Sequence, residues 1–217
     1  MANTLKDISL FSGIDDESLH HLEKVAVKKS FPKNTILFSK GDETDSLYVI
    51  KSGMVKAIII DEDGKEMILS IHKPGEYFGE MSLIDKEPRS ATLITKEPTQ
   101  LLIIHRKDFL KVFNSNPDMV YDLFKVLLKR LRKSTDKVEN FAFKDVYGRV
   151  ADLLNQFAKP VNDKWVIEDK LTHNEIANTI GSSREMVSKI LKELTAGGYI
   201  STDKKQITIH KKLPSIF

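Results

Sequence analysis

The 217-residue chain contains no cysteine. That absence excludes disulfides, thiolate metal sites, iron–sulfur clusters and thiol redox switches together. It also fits a reducing cytoplasm. The first residues, MANTLKDISLFSG, lack a basic segment followed by an apolar core, so no secretory signal is expected. No apolar run is long enough to span a bilayer, and AIII at 57–60 has only strand length. A marked excess of one charge sign is also missing. The net value is +3, so any nucleic-acid-binding surface must be local. Internal repeats and low-complexity tracts are missing as well. Against these absences stand 41% hydrophobic residues, enough for real cores, and 30% charged residues, enough for a soluble surface. The expected protein is cytoplasmic, makes no membrane contact, and has one large or two small domains.

The pattern changes along the chain. Residues 5–26 read as helical, with Asp15-Asp16-Glu17 ahead of Leu19, Leu22 and Val25. From 27 to 105 short β-branched runs alternate with turns. The runs are TILF, SLYVI, MVKAIII, EMILSI, ATLIT and LLIIH, separated by KGDETD, KSG, DEDGK and KEPT. Asp63-Gly64 signals a tight hairpin. Many short strands at this spacing predict a barrel or jelly roll.

From Phe109 to Lys144 the period becomes helical. Phe124, Leu127, Leu131, Val138 and Phe141 form an apolar seam suited to pairing with a second copy. Ser134 falls in that seam and Thr135 lies beside it. Two readings stay open: a polar break that fixes register, or hydroxyls facing something polar against the seam. Beyond Asp145 the chain is α-rich with a small β end, where AKPVNDK breaks a helix and WVIEDKL gives one or two strands.

LTHNEIANTIGSSREMVSKILKELTAGGYI carries two helix starts. Thr172 with Glu175 and Ser182 with Glu185 read as capping boxes, with Gly181 as the stop between them. Ala177 is small where two helices must approach closely, and Ile176, Ile180, Val187, Ile190, Leu191 and Leu194 share an apolar face. This is a helix-turn-helix signature. On the second helix Arg184, Glu185, Ser188 and Lys189 point away from the apolar stripe. Arginine offers two parallel donors to guanine, glutamate accepts from cytosine, and lysine donates to guanine or phosphate. Ser182 and Ser183 place a hydroxyl and N–H groups at a helix N-terminus, a natural phosphate contact. Gly197-Gly198 ends the helix, and YISTDKKQITIH reads as a wing with Lys204-Lys205 at its tip. The alternative is an ordinary helical hairpin with a solvated charged face. Caps, glycine, small residue and exposed Arg-Glu agree on DNA binding.

GEYFGEMSLIDKEPRSA, at 75–91, interrupts the β-rich region. Gly75 and Gly79 admit backbone conformations that other residues resist. MSLI after Glu80 can form one helical turn with its N–H groups toward an anion. Arg89 is forked and always charged, the natural partner of a phosphate, and Ser90 can donate to the same group. A carboxylate repels phosphate, so Glu80 suits a sugar hydroxyl. The pair together describes a site for a nucleotide with one phosphate. The competing reading is a Glu80–Arg89 salt bridge that only pins the loop.

The two motifs together resemble the Crp–Fnr superfamily of bacterial transcription regulators, and most of all its cyclic-AMP-receptor branch. The resemblance covers nearly the whole chain. It implies an α+β protein: a cyclic-nucleotide-binding β jelly roll over 1–110, a long dimerisation helix and hinge over 111–144, and a winged helix-turn-helix over 145–217. Gly79, Glu80, Met81, Ser82, Leu83, Arg89, Ser90 and Ala91 match the family's phosphate-binding cassette. The resemblance assigns Glu80 to the ribose 2′-hydroxyl and Arg89 with Ser90 to the cyclic phosphate. Ser134 and Thr135 correspond, in reversed order, to the hydroxyl pair that meets adenine, with the partner subunit also present there. Thr172, Ser182, Ser183, Arg184, Glu185, Ser188 and Lys189 are the expected DNA-contacting set.

The implied effector is cyclic AMP, with cyclic GMP, a cyclic dinucleotide or no effector as alternatives. The implied partners are a second copy, palindromic double-stranded DNA with a GTG-like core, and RNA polymerase. Three departures matter. Lys189 stands where the branch has arginine, the cassette is one residue shorter between Glu80 and Arg89, and AKPVNDK is shorter than the polymerase-contacting loop of the enteric activator. Lys28 and Lys29 lie near a basic activating surface of the family and also fit plain solvated surface. Sensing through iron–sulfur or cysteine-ligated haem fails without cysteine, and no metal is expected. The histidines His20, His21, His72, His105, His173 and His210 lack ligand spacing and read mostly as surface residues. An enzyme is not expected, because Glu80 beside Arg89 has no accompanying base, nucleophile or metal site.

Overall fold

The computed structural model describes residues 5–162, 164–168, 171–203 and 206–213. The chain forms two compact units, Met1–Leu131 and Arg132–Phe217.

In the first unit, two 3-10 turns, Leu5–Asp7 and Ser9–Phe11, precede helix α1 at Asp16–Val25. The expected single helix over 5–26 is therefore broken. Asp15 is the reason for the start point: its carboxylate caps α1 by accepting from the Ser18 amide at 2.7 Å. Eight strands follow. They are β1 Val27–Phe31, β2 Ile36–Phe38, β3 Ser46–Ser52, β4 Val55–Ile60, β5 Glu66–His72, β6 Tyr77–Phe78, β7 Thr92–Thr95 and β8 Thr99–His105. They pair antiparallel in two sheets, ordered β1-β8-β3-β6 and β2-β7-β4-β5. This is the jelly roll that the strand spacing predicts. The Asp63-Gly64 turn is wider than a two-residue hairpin. Asp61 accepts from the amides of Asp63 and Lys65, and Gly64 takes φ +79°.

Side-chain alternation explains the core. Phe38, Ile50, Val55, Ala57, Phe78, Leu93, Leu101 and Ile103 fill the space between the two sheets. Leu47, Val49, Tyr77 and Ile104 point the other way, into a second cluster. There they meet Leu19 and Leu22 of α1, Phe109 and Val112 of α3 (Arg106–Ser115), and Met119 and Leu123 of α4 (Pro117–Phe143). Burial on both faces is why SLYVI and LLIIH read as unbroken apolar runs. The helical stretch from Phe109 onward is two helices, because the chain breaks at Asn116 ahead of Pro117.

The second unit holds α5 Val146–Phe157, β9 Lys159–Val161, β10 Lys164–Ile167, α6 His173–Ile180, α7 Arg184–Ala196, β11 Ile200–Thr202 and β12 Ile207–Ile209. Its sheet runs β11-β12-β10-β9, with antiparallel pairs. AKPVNDK contributes strand β9 as well as a turn, with Asn162 at φ +46°. Tyr147, Val150, Leu154, Ile176, Ile190 and Leu194 anchor one core shared by the helices and the sheet. Lys204 and Lys205 of the expected wing tip lie outside the described residues. Among the described residues, no helix is long and apolar enough to cross a membrane.

Candidate functional site

Helix α2, Glu80–Asp85, sits between β6 and β7. Gly79 opens it at φ +86°, and Lys86 closes it at φ +64°. Glycine is required at 79 for two reasons. The left-handed backbone disfavours a side chain, and a Cβ would lie 2.6 Å from Arg89 Nη1 and 2.8 Å from the Ser46 carbonyl. The helix is fixed on its far side by Arg106, whose Nε donates to the Leu83 carbonyl at 2.9 Å.

Glu80 is buried, at 2% exposure. Its Oε1 accepts from Arg130 Nη1 at 2.5 Å, and Arg130 Nη2 donates to the Tyr77 carbonyl at 2.7 Å. The other carboxylate oxygen, Oε2, is buried and has no partner among the described residues. A buried anionic oxygen with no donor is costly, and a ligand hydroxyl would satisfy it. Arg89 is buried too, at 3% exposure. Its Nε donates to Thr44 Oγ1 at 2.5 Å, Nη1 to the Gly79 carbonyl at 2.8 Å and Nη2 to the Ser46 carbonyl at 2.8 Å. The guanidinium carbon lies 4.3 Å from the centre of the Phe38 ring. Burial lowers its pKa from the ordinary arginine value, while the fields of Tyr48 and Glu80 oppose that change. Among the described residues, three of its five N–H donors are thus held by protein acceptors, which leaves two for an anion. Its backbone is also clamped: the Arg89 amide donates to the Asp42 carbonyl, and the Arg89 carbonyl accepts from the Gly41 amide.

The competing reading of the loop is corrected here, because the ion-pair partner of Glu80 is Arg130 and not Arg89. Within the cassette, Ser82 and Ala91 are buried, Met81 is 49% exposed, and Ser90 is exposed. Arg130 is the principal residue that periodicity does not reveal. It lies among Lys129, Arg132 and Lys133, and nothing in that basic run marks one of them as reaching the cassette. Thr44, Ser46, Phe38 and Tyr48 escape for a similar reason, since they come from strands and turns remote in sequence. His72 also departs from expectation. It is buried, at 8% exposure, rather than on the surface.

The seam of α4 differs by one position from its sequence pattern. Leu127 is half-buried against the first unit's core, whereas Leu128 is exposed. Tyr121, Phe124, Leu128 and Leu131 form the outward row in the first unit, and Val138, Phe141 and Phe143 are exposed in the second. The spacing that fits Leu128 places Thr135 rather than Ser134 on the row. Ser134 and Thr135 are both exposed.

In the second unit, Thr172 forms the expected capping box. Its Oγ1 accepts from the Glu175 amide at 3.1 Å, and Glu175 Oε2 accepts from the Thr172 amide at 2.8 Å. Gly181, at φ +66°, ends α6. The second cap is shifted: Ser183, not Ser182, precedes α7, and its Oγ accepts from the Met186 amide at 3.1 Å. The Ser182 amide donates to the Ala177 carbonyl at 3.0 Å, so it is not a free phosphate donor. Val187, Ile190, Leu191 and Leu194 are buried on α7; Arg184, Glu185 and Lys189 are exposed and Ser188 is half-buried.

A jelly roll with a buried carboxylate and arginine on one short helix–strand connection, followed by a winged helix-turn-helix, is the plan of an effector-binding DNA regulator. The Cyclic nucleotide-binding domain family matches residues 28–116, and the Crp-like helix-turn-helix domain family matches 148–212. The cAMP-activated global transcriptional regulator CRP of Pasteurella multocida is 35% identical, over 83% of this chain and 88% of that protein. The CRP-like cAMP-activated global transcriptional regulator of Mycobacterium tuberculosis is 31% identical, over 96% of this chain and 95% of its own. Among solved structures, the c-di-GMP responsive global regulator CLP of Xanthomonas campestris aligns with a TM-score of 0.76 at 27% identity, covering 91% of this chain and all (100%) of that one. The catabolite activator protein of Thermus thermophilus aligns at 0.56 with 30% identity, covering 93% of each chain. The chain belongs to the Crp–Fnr family of transcription regulators. It is a Crp-like regulator with a cyclic-nucleotide-binding domain and a DNA-binding helix-turn-helix.

Proposed function

We propose that cyclic AMP is the effector and that the protein acts as a homodimeric, cytoplasmic transcription activator. The observation that carries this reading is the Glu80 carboxylate: one oxygen is fixed by Arg130 and the other is buried without a partner among the described residues. Glu80 accepts from the ribose 2′-hydroxyl. Arg89 and Ser90 take the cyclic phosphate, Gly79, Met81, Ser82 and Ala91 shape the cassette, and Ser134 with Thr135 meet the purine. The exposed apolar row of α4 pairs with the same row of a second copy. Residues 1–110, 111–144 and 145–217 serve as the effector domain, dimer helix with hinge, and DNA-binding domain.

Nucleotide bound at the cassette favours one arrangement of the dimer helices, which sets two copies of α7 to read successive major grooves of a palindrome. It does so only by binding that state better than the other. Arg184, Glu185, Ser188 and Lys189 read bases, while Thr172, Ser182 and Ser183 lie along the backbone. RNA polymerase is the downstream partner. No metal, haem or catalytic step enters this scheme. Titration calorimetry with cyclic AMP, cyclic GMP and cyclic di-GMP tests the effector. Heat with cyclic AMP alone is expected. Heat with cyclic di-GMP alone would favour the second reading, which the likeness to the Xanthomonas regulator supports.

A further inference from the structure

The inner face of β5 breaks its own pattern next to the cassette. His72 is buried opposite the core residue Val55, whereas Ser70, opposite Ala57, is exposed, and a register shift at Ala57/Ile58 separates both from the buried Ile68. A local rule broken without an evident gain in packing is a place to look for function. His72 is buried and fully bridged. Nε2 lies 3.0 Å from Ser70 Oγ, and Nδ1 lies 3.3 Å from Glu76 Oε2. Its ring centre is 5.8 Å from that of Phe78, the residue before Gly79-Glu80. Phe78 in turn stacks on Tyr48 at 5.2 Å and meets Phe38 at 6.0 Å, and Phe38 carries the Arg89 guanidinium. A continuous layer of rings therefore links His72 to the arginine of the cassette.

The charged groups around His72 make a second link. From the β5–β6 turn, Glu76 bonds the imidazole and also accepts from the Lys73 amide at 3.4 Å. From α4, Arg130 acts on Glu76 while holding Glu80. From β4, Val55 is paired with His72 in register, and the adjacent Lys56 is tied to Glu66 at 2.8 Å. Burial alone would raise the Glu76 pKa, but the bond and field of His72, with lesser help from the Lys73 amide and Arg130, hold it below the ordinary carboxylate value. Glu76 thus stays anionic wherever histidine titrates. Histidine is the residue type whose charge changes between about pH 5 and 8.

Resting on the effector reading above, we propose that His72 is a positioning residue through which proton uptake tightens capture of the nucleotide by the adjacent cassette. Neutral imidazole accepts from Ser70 and donates to Glu76. Imidazolium donates to both, so the bridge survives and the local charge rises by one. The gain balances Glu76, leaves the field of Arg130 to Glu80, and attracts the cyclic phosphate held by Arg89. The phosphodiester of the ligand keeps its single charge across this range, so the protein supplies the pH dependence.

The test is the affinity for cyclic AMP and cyclic GMP from about pH 5.5 to about pH 8 at fixed ionic strength, for wild type, His72→Gln and Glu76→Gln. Glutamine at 72 preserves hydrogen bonding without a titratable charge. Wild type is expected to bind roughly three- to tenfold tighter at the acid end, the size of one added charge at the distance of a few side chains. His72→Gln should be flat, and Glu76→Gln, altered at an exposed side chain, should move the inflection to lower pH. A wild-type slope retained in His72→Gln, or an unmoved inflection in Glu76→Gln, overturns the inference. A His72→Gln protein that fails to fold leaves the decision to the Glu76→Gln inflection. If neither nucleotide binds wild type at any pH, the effector reading falls and takes this inference with it.

Discussion

The cassette and the reading helix use the same two residue types in opposite ways. Glu80 and Arg89 are buried, and their partners are Arg130, Thr44 and the carbonyls of Gly79 and Ser46. Glu185 and Arg184 stand exposed on α7, above a buried row that fixes only the helix. Buried charges are held in one geometry by neighbours they cannot leave, so they suit one compact ligand. Exposed charges keep their donors for whatever partner arrives, so they suit a long polyanion read at several points. The two sites should also differ in salt response. DNA affinity falls steeply with salt through counterion release, whereas a pair buried in protein is screened much less.

The largest expected effect of breaking the comparison is at Glu80. Glu80→Gln removes the charged partner of Arg130 and the acceptor proposed for the ribose hydroxyl. Effector affinity should drop by roughly 10- to 150-fold, the value of one charge-assisted hydrogen bond. Calorimetry checks it, and an unchanged affinity would remove Glu80 from the site. Next comes Gly79→Ala, where backbone strain combines with the clash against Arg89 Nη1. A stability loss of about 1–3 kcal/mol is expected in denaturant unfolding, with weaker nucleotide binding. Arg184→Ala follows on the DNA side, costing about 1–3 kcal/mol of discrimination at one base pair. A random-site selection that returned the wild-type consensus with this variant would end the base-reading role. The smallest effect is Ser183→Ala, which removes the α7 cap and should cost about 1 kcal/mol of stability. Ser182→Ala, one residue earlier, should cost less in the same thermal melt, because its side chain does not make the cap.

The same contrast explains how much of the molecule was legible in the sequence. Local chemistry is written locally. Thr172 and Glu175 announce a capping box, Gly181 a helix stop, and the exposed Arg184-Glu185 face follows from the spacing of Val187, Ile190 and Leu194. The jelly roll is equally visible from alternating runs and turn residues, apart from the two-residue strand Tyr77–Phe78, which is too short to show a period. Contacts between distant segments leave no such trace. Arg130 reaches Glu80 across 50 positions, and Arg89 finds Thr44 and Ser46 across 45 and 43. The seam slipped for the same reason: Leu127 and Leu128 are equivalent as residue types, and only packing against the first unit's core tells them apart. Ser182 and Ser183 are likewise a pair of identical candidates, separated only by the Gly181 geometry that draws the Ser182 amide back to Ala177.

Effector-gated DNA reading is tested most directly by titrating the full-length protein onto a selected palindrome and onto random DNA at one stated salt concentration, with and without saturating cyclic AMP. Cyclic AMP should tighten binding to the palindrome much more than to random DNA, and the gain should vanish in Glu80→Gln. Equal affinity for the palindrome with and without cyclic AMP would contradict it.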